Sequence, residues 1–542
     1  ALGLFEARAT LGEAARALFG QPNNLFFDLA GAEVTFSFGA NFLETWLNPV
    51  AYTRGFAKMR QGTAGQRGYL VHFEPRLSST AVKADEWFAI KPGSEGLVAL
   101  AIGKLAAEYQ GKVIAAYENV DVAAAAEASG IEVEHLERLA RIFANSPHAL
   151  AIPGGAPLAQ SNGLDTAKAV LALNALAGNL GQPGGVYLTA AAPVNDGYHR
   201  PATAKELAVL IEKMASGQIK ALFVHGVNPV FEIPAALGFA AALEKVETVI
   251  SFASFPDETA AKADYIFPDH TGLESWGYQR ILTGAGQSTL SGAQPTVAPF
   301  YNTRATADVL LAAAEKAGKA LPYKDEVAFV QAKIEKLVTT EGGFHSAAEI
   351  NTFWTQFQQF GGWWTNESKF GSPTSSVLDK ALSVREAEFE GEGEFHLFPF
   401  VSPILGEAGA NKPWLQEVPD PTTTVMWNSW VEINPHTAEE LGLHDDDVVR
   451  IVSPFGAVEV SVYLYPAIRP DVIAMPFGQG HTAYGRYAEG RGVNPADLFG
   501  KKTNDAGDLA YGGIKVKIEK TGQTRALSRL ESRIGVYGFE EH

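Results

Sequence analysis

The sequence of 542 residues contains no cysteine. Disulfides, iron–sulfur clusters held by cysteine thiolates and a thiolate metal ligand are therefore excluded within these residues. The sequence also contains neither a Gly-x-Ser-x-Gly nor a His-Glu-x-x-His motif, so the nucleophile elbow of an α/β-hydrolase and a zincin site are missing. A hydrolase that combines one of the 12 histidines with a serine and an aspartate consequently has little support.

Long apolar runs and an excess of basic charge are missing as well. No stretch approaches the roughly 20 consecutive apolar residues of a membrane-spanning helix, so we expect membrane contact only through other subunits. Acidic side chains outnumber basic ones by 61 to 43, and the formal net charge is −18. This charge argues against a nucleic-acid surface and favours basic partners such as c-type cytochromes, and it serves solubility equally well. Because the chain opens at Ala1 without a leader, we expect a processed or partial product.

Short apolar runs that end at turn residues alternate with helical patterns. Residues 33–38 and 67–73 read as buried strands, and residues 96–109 and 131–144 show helical spacing of Leu, Ile and Ala. This alternation predicts a parallel sheet with helices on both faces. The same rhythm restarts at residue 149, which predicts a second Rossmann-like doubly wound unit inserted into the first.

Beyond Phe395 the pattern changes to short strands separated by turn residues, which is typical of a compact β-barrel. The predicted fold class is thus α/β, with two doubly wound units and a C-terminal six-stranded barrel. The predicted boundaries are 1–148 for the first unit, 149–324 for the inserted unit, 325–394 for the return to the first unit and a connector, and 395–542 for the barrel.

Five signatures occur in an order that identifies a family. They are Ala-Leu-Phe-Val-His-Gly-Val-Asn-Pro at 221–229, Asp-Glu-Thr-Ala-Ala-Lys-Ala-Asp-Tyr-Ile-Phe-Pro at 257–268, Leu-Asn-Ala-Leu-Ala-Gly-Asn-Leu-Gly at 173–181, Glu-Ile-Asn-Pro at 432–435 and Gly-Arg-Gly-Val-Asn at 490–494. The chain resembles, over nearly its whole length, the large molybdopterin oxidoreductases of the dimethyl-sulfoxide-reductase type. The three units resemble the second, third and dinucleotide-binding domains of that family.

In that family two pterin dinucleotides lie in a crevice between the domains. Loops at the carboxyl ends of parallel strands present N–H groups suited to diphosphates. The resemblance implies a vestigial dinucleotide cleft that is narrowed by Trp46, Trp87 or Tyr484. Its candidate residues are Gly39, Asn41, Glu74, Glu95, Asn228, Glu258, His481 and Asn494. The alternative is that the asparagines at 41 and 228 only cap turns and the glutamates at 74 and 95 only cap helices.

Active members bind the metal through a Ser, Cys, selenocysteine or Asp that lies a few tens of residues before the Gly-x-Asn loop. Residues 1–36 contain no Ser or Cys, and their one aspartate, Asp28, is interpreted as structural. The resemblance therefore implies no metal ligand and no catalytic residue here. An active enzyme would need both the ligand and the cysteine-rich cluster domain from further sequence.

Residues 37–50, followed by Arg54, 67–68, 74–76 and 84–87, are most similar to the large B subunit of alternative complex III. That resemblance implies a non-catalytic structural part of a membrane quinol:electron-acceptor oxidoreductase on the periplasmic side. It implies no cofactor in this chain, with iron–sulfur clusters and haem c on partners: an iron–sulfur domain or subunit, a multihaem cytochrome c and integral quinol-binding subunits. The alternative is the catalytic subunit of a molybdenum bis-molybdopterin guanine dinucleotide enzyme, such as a polysulfide or thiosulfate reductase.

Overall fold

A computed structural model describes residues 5, 7–20, 25–61, 67–194, 200–281 and 283–530. Its first unit is built on a parallel sheet. The strands lie in the spatial order Glu86–Phe88, Tyr69–Phe73, Val34–Phe38 and Ala149–Pro153. Helices cover both faces of this sheet, as predicted, because alternate side chains of each buried strand face separate apolar cores. The helices around it are Arg8–Phe19, Pro49–Arg60, Glu95–Tyr109, Val122–Ser129, Val133–Asn145 and Gly163–Ala177.

The strand Ala149–Pro153 corrects the predicted boundary at residue 149. It pairs in parallel with Val34–Phe38 over five residues, so it completes the first sheet and does not open the second. The sequence could not separate these outcomes, because a buried strand after a helix has the same local pattern in either sheet. The second sheet begins only at Ala221.

The second sheet is small and parallel. Its strands are Ala221–Val224, Thr248–Ser251 and Tyr265–Ile266. The helices Ala204–Ala215 and Phe239–Leu243 cover one face with a shared apolar core. The first of these helices begins with a capping box in which Thr203 and Glu206 each satisfy the other's backbone N–H.

The stretch predicted to return to the first unit at residue 325 is also corrected. The strand Gly362–Trp364 pairs with the hairpin Gly277–Arg280 and Thr289–Ala293, and the helices Glu326–Ile334 and Ile350–Phe360 pack on that sheet around Trp363. Only at residues 378–384 do apolar side chains rejoin the core of the first unit. Short amphipathic elements carry no signal of which neighbouring sheet they cover.

The barrel begins at Phe395 and closes with six strands, as predicted. Its strands lie in the order Phe395–Val401, Val472–Phe477, Trp430–Ile433, Ala457–Leu464, Asp447–Val452 and Lys515–Thr524. Its interior is continuous with the core under the second sheet. Residues 531–542, which the prediction assigns to this unit, lie outside the described residues.

The remaining elements connect these units. Two small antiparallel pairs join Leu25–Phe27 to Val186–Leu188 and Val425–Met426 to Ser528–Arg529. The other helices are Pro229–Glu232, Thr306–Lys316, Pro413–Gln416 and Pro435–Leu441. Among the described residues, no helix combines the length and apolarity needed to cross a bilayer.

Candidate functional site

Two neighbouring cavities lie at the carboxyl ends of the two parallel sheets. The first, of about 370 Å³, is lined by the loop 41–47 after the strand Val34–Phe38 and by Gly155. The second, of about 320 Å³, is lined by the loops that follow all three strands of the second sheet. Both are lined by Glu407 and Ala408. The predicted single cleft is therefore divided by this segment into two.

The first cavity lies at the topological switch point of the first sheet, where open α/β sheets bind ligands. Here the two loops that leave the adjacent strands touch each other. Gly39 and Gly155 have φ of +69° and +60°, and a Cβ atom on Gly155 would collide with the carbonyl oxygen of Gly39. Pro157 packs on Gly39, and the indole of Trp46 packs on Gly154. As predicted for Trp46, this side chain narrows the crevice.

Asn41 and Glu74 meet beside this cavity. Asn41 Nδ2 donates to Glu74 Oε1 at 3.1 Å, and Ser78 Oγ donates to Asn41 Oδ1 at 3.0 Å. The second Glu74 oxygen lies 3.2 Å from Nε2 of His72. Trp87 donates from Nε1 to the carbonyl oxygen of Glu74, but it lines neither cavity. The side-chain groups predicted to grip a dinucleotide thus bind one another.

Glu44 was missed by the sequence prediction although it lines the first cavity. Its carboxylate accepts a hydrogen bond from the backbone N–H of Ser79. Burial raises its pKa, Arg76 opposes that effect, and Glu74 adds to it. Its position three residues after Asn41, in a loop that follows a buried strand, was the signal available in the sequence.

Glu95 lies apart from both cavities. It is the first residue of the helix Glu95–Tyr109, and it is only 2% exposed. Burial raises its pKa to about 7, and the charge of Glu74 contributes. Its Oε2 atom has no hydrogen-bond partner among the described residues. The predicted contact with a ligand would require this carboxyl group to leave the interior.

The second cavity gathers most of the other predicted residues. Asn228 Nδ2 donates to Glu258 Oε2 at 2.6 Å, and Nδ1 of His481 lies 3.1 Å from Glu258 Oε1. Asn494 donates to the carbonyl oxygen of Phe231 at 2.9 Å, and the ring of Phe231 stacks on His481 with centroids 3.7 Å apart. Loops from the inserted unit and the barrel therefore meet at this point.

Carboxylates of the chain itself occupy the backbone N–H groups around the second cavity. The N–H of Asn228 donates to Glu232 Oε1 at 2.7 Å. Those of Thr482 and Ala483 donate to Glu258 Oε1 at 2.7 and 3.1 Å. Free N–H groups at such loops are what binds a phosphate, so the anion-binding donors are already used.

The electrostatics of the two cavities are acidic. Burial alone would raise the pKa of Glu258, but hydrogen bonds from His481 and Asn228 hold it at about 2. Burial raises the pKa values of Glu232 and Asp257. Of the described residues that line the cavities, none is Lys or Arg. This donor set does not fit the diphosphate of a pterin dinucleotide, which needs cations and free N–H groups.

The described part of the chain offers no ready-made metal centre. It contains no group of three or more His, Asp or Glu side chains placed to hold a metal ion. Tyr484, predicted to narrow the cleft, lines the second cavity and donates from its hydroxyl to the carbonyl oxygen of Ala408 at 3.1 Å.

Comparisons with known proteins agree with this architecture. Residues 6–316 match the molybdopterin oxidoreductase family, and residues 415–508 match the molydopterin dinucleotide binding domain. The chain is 29% identical over 535 residues to the menaquinone reductase molybdopterin-binding-like subunit of Nitratidesulfovibrio vulgaris, covering 93% of this chain and 73% of that protein. It is 24% identical to the molybdopterin-containing subunit of the arsenate respiratory reductase of a Shewanella species, covering 91% and 75%.

Acetylene hydratase from Pelobacter acetylenicus has the same fold. Its TM-score is 0.72 at 17% identity, with 95% of this chain and 82% of that chain covered. The first family match spans more than half of the sequence and bears out the resemblance seen in its motifs. The chain therefore belongs to the molybdopterin oxidoreductase family.

Proposed function

We propose that the chain is a non-catalytic structural subunit of a membrane quinol:electron-acceptor oxidoreductase of the alternative complex III type. The observation that carries the proposal is the occupation of the loop N–H groups of Asn228, Thr482 and Ala483 by Glu232 and Glu258. A dinucleotide diphosphate would have to displace two carboxylates and then lie in an acidic surrounding, which is electrostatically unfavourable. On this proposal the chain holds neither molybdenum nor pterin.

Relatives support a role in a quinone-linked complex and also supply the second candidate. One relative is named as a molybdopterin-binding-like subunit of a menaquinone reductase. Others are named as molybdopterin-containing subunits of arsenate and thiosulfate reductases. The second candidate is therefore a catalytic subunit with molybdenum bis-molybdopterin guanine dinucleotide. It requires a metal ligand and cations that the residues lining the cavities do not supply.

A chain without cysteine or a redox cofactor does not carry electrons over tens of ångströms, so electrons would pass through partner subunits. We propose three partners: an iron–sulfur domain or subunit, a multihaem cytochrome c and integral membrane quinol-binding subunits, with this chain on the periplasmic side. Its contribution would be to hold them in a fixed arrangement through interfaces of roughly 2,000 Å² or more in total.

The second sheet offers a surface for such an interface. Phe223, Ile250 and Tyr265 form one row across its three strands, on the face opposite the covering helices. Phe223 and Tyr265 are 57% and 58% exposed. Parallel sheets are normally covered by helices on both faces, so we assign this open face to an apolar helix of a partner subunit.

The test is the metal and pterin content of the native complex purified with this chain. Mass spectrometry of metals should find molybdenum and tungsten far below one equivalent per chain, and oxidised extracts should lack pterin fluorescence. One equivalent of either metal together with pterin would contradict the proposal and support the catalytic candidate.

A further inference from the structure

The second cavity, called the acidic cavity below, contains one buried polar atom that the fold leaves unused. His481 lines it and is 2% exposed. Its Nδ1 faces Glu258, and its Nε2 has no hydrogen-bond partner among the described residues. An unsatisfied buried imidazole nitrogen costs stability, which points to a ligand that pairs with it.

The state of Glu258 decides what kind of partner Nε2 needs. Hydrogen bonds keep Glu258 ionised, with a pKa of about 2 despite burial. A carboxylate is only an acceptor, so the His481 nitrogen that faces it, Nδ1, carries the proton. In the neutral ring Nε2 is then an acceptor. The missing partner is therefore a hydrogen-bond donor.

Two further carboxyl groups line the acidic cavity. Glu232 is half-buried, and Asp257 is 6% exposed. They are close enough that the charge of Asp257 raises the pKa of Glu232, after the larger effect of burial. Glu232 accepts a hydrogen bond from the N–H of Asn228, and Asp257 accepts one from the N–H of Ala260. These donors are neutral, and two neighbouring carboxylates in a partly buried site call for a cation.

The remaining walls are aromatic. Phe252, Phe255 and Tyr484 line the acidic cavity. The rings of Phe255 and Tyr484 meet edge to face with centroids 6.1 Å apart, and the ring of Tyr484 lies 4.9 Å from that of His481. Phe255 and His225, at 45% and 57% exposed, mark an opening to the surface. Aromatic faces beside carboxylates are what binds an organic cation.

We infer that the acidic cavity binds a guanidinium group. A guanidinium is planar, presents several N–H donors in one plane and stacks on aromatic rings, so one group can pair with Glu232, Asp257 and Nε2 of His481. An ammonium is a compact, strongly hydrated charge that lacks this geometry. The inference rests on the proposed function in one respect, because it requires that no dinucleotide fills the cavity.

The group can come from an arginine side chain of a docked partner subunit or from a small free guanidine, and binding of a model compound separates these sources. The probe is N-acetyl-arginine amide, titrated calorimetrically into the full chain and into the assembled complex. N-acetyl-citrulline amide is the matched uncharged probe, and N-acetyl-lysine amide tests the geometry of the cation.

We expect the full chain to bind the arginine probe at least about tenfold more tightly than the citrulline and lysine probes. Glu232→Gln and Asp257→Asn should each weaken it about tenfold, whereas Glu212→Gln, on the exposed side of the helix Ala204–Ala215, should leave it unchanged. Circular dichroism and thermal melting of each variant verify folding. Glu232→Gln keeps an acceptor for the N–H of Asn228.

Binding to the free chain but not to the complex supports a partner's arginine, and binding to both supports a free guanidine. No binding to the free chain, or equal binding of the arginine and citrulline probes, overturns the inference. Metal and pterin analysis of the same samples keeps the two proposals apart. Absence of both with no arginine binding rejects only the guanidinium site, whereas their presence rejects the proposed function.

Discussion

Arg76 of the first unit and Glu432 of the barrel form an ion pair that is almost completely removed from solvent. Arg76 Nη2 lies 2.9 Å from Glu432 Oε1, and the two side chains are 3% and 0% exposed. The guanidinium also lies 3.9 Å above the ring of Phe400, and Trp430 Nε1 donates to the same carboxylate at 3.1 Å. The pair therefore fixes the barrel against the loop that follows the strand Tyr69–Phe73.

Breaking this pair on one side should be more harmful than removing it. Arg76→Met leaves a buried, uncompensated carboxylate at Glu432, and we expect a loss of about 3–5 kcal/mol in the free energy of unfolding. The double variant Arg76→Met/Glu432→Met should recover most of that loss, because no buried charge remains. Urea unfolding of the wild type, both single variants and the double variant gives the coupling energy. A double variant as unstable as Arg76→Met would contradict this account.

The sequence predicted those parts of the fold that have a strong local pattern. The alternation of strands and helices, and the change to short strands at Phe395, led to the correct fold class. Assignment of Ala149–Pro153 and Gly362–Trp364 to sheets failed, because sheet partners are chosen by packing between residues far apart in the sequence.

The candidate site followed the same division. Motif positions placed Asn228, Glu258 and His481 together, since loops at strand ends meet at one edge of a sheet. Rotamers and burial decide the rest and leave little trace in the sequence. Glu95 thus lies in the interior, whereas Glu44, not predicted, reaches a cavity.

Glu95 should make stability depend on pH. Burial raises the pKa of this carboxyl group from its ordinary value of 4.5 to about 7 in the folded chain. Between these values the folded chain holds a proton that the unfolded chain has released, so stability falls as pH rises through this window. The full effect is about 3 kcal/mol above pH 7.

Glu95→Gln removes this titration, because the amide is neutral at every pH. The variant should unfold at a higher urea concentration than the wild type at pH 8, and the difference should shrink toward pH 4.5. Glu108→Gln, on the exposed end of the same helix, is the control and should change stability by less than about 0.5 kcal/mol. An equal gain for Glu95→Gln at pH 4.5 and pH 8 would show that the titrating group is elsewhere.

Substitutions among the predicted dinucleotide residues should spare catalysis by the complex. Glu258→Ala leaves the N–H groups of Thr482 and Ala483 and the amide of Asn228 without their acceptor. We expect it to cost about 1–3 kcal/mol of stability, while quinol oxidation per assembled complex stays at the wild-type rate. Asn228→Ala should behave alike. Turnover is measured after gel filtration, so that only intact complex is counted, and lost turnover in intact complex would assign chemistry to the site.

The open face of the second sheet should matter for assembly and not for folding. Phe223 and Tyr265 stand in one row on that face and are more than half exposed, so Phe223→Asp and Tyr265→Asp remove little buried apolar surface from the chain itself. Their melting temperatures in the free chain should remain within a few degrees of the wild type. In the complex each would place a carboxylate against an apolar helix, which is costly to desolvate without a partner. We therefore expect the yield of complex in co-purification to fall severalfold. Val113→Asp is the matched control, because Val113 is 96% exposed and lies in the first unit. An unchanged yield for both aspartate variants would mean that this face remains in solvent in the complex and that the partners dock elsewhere.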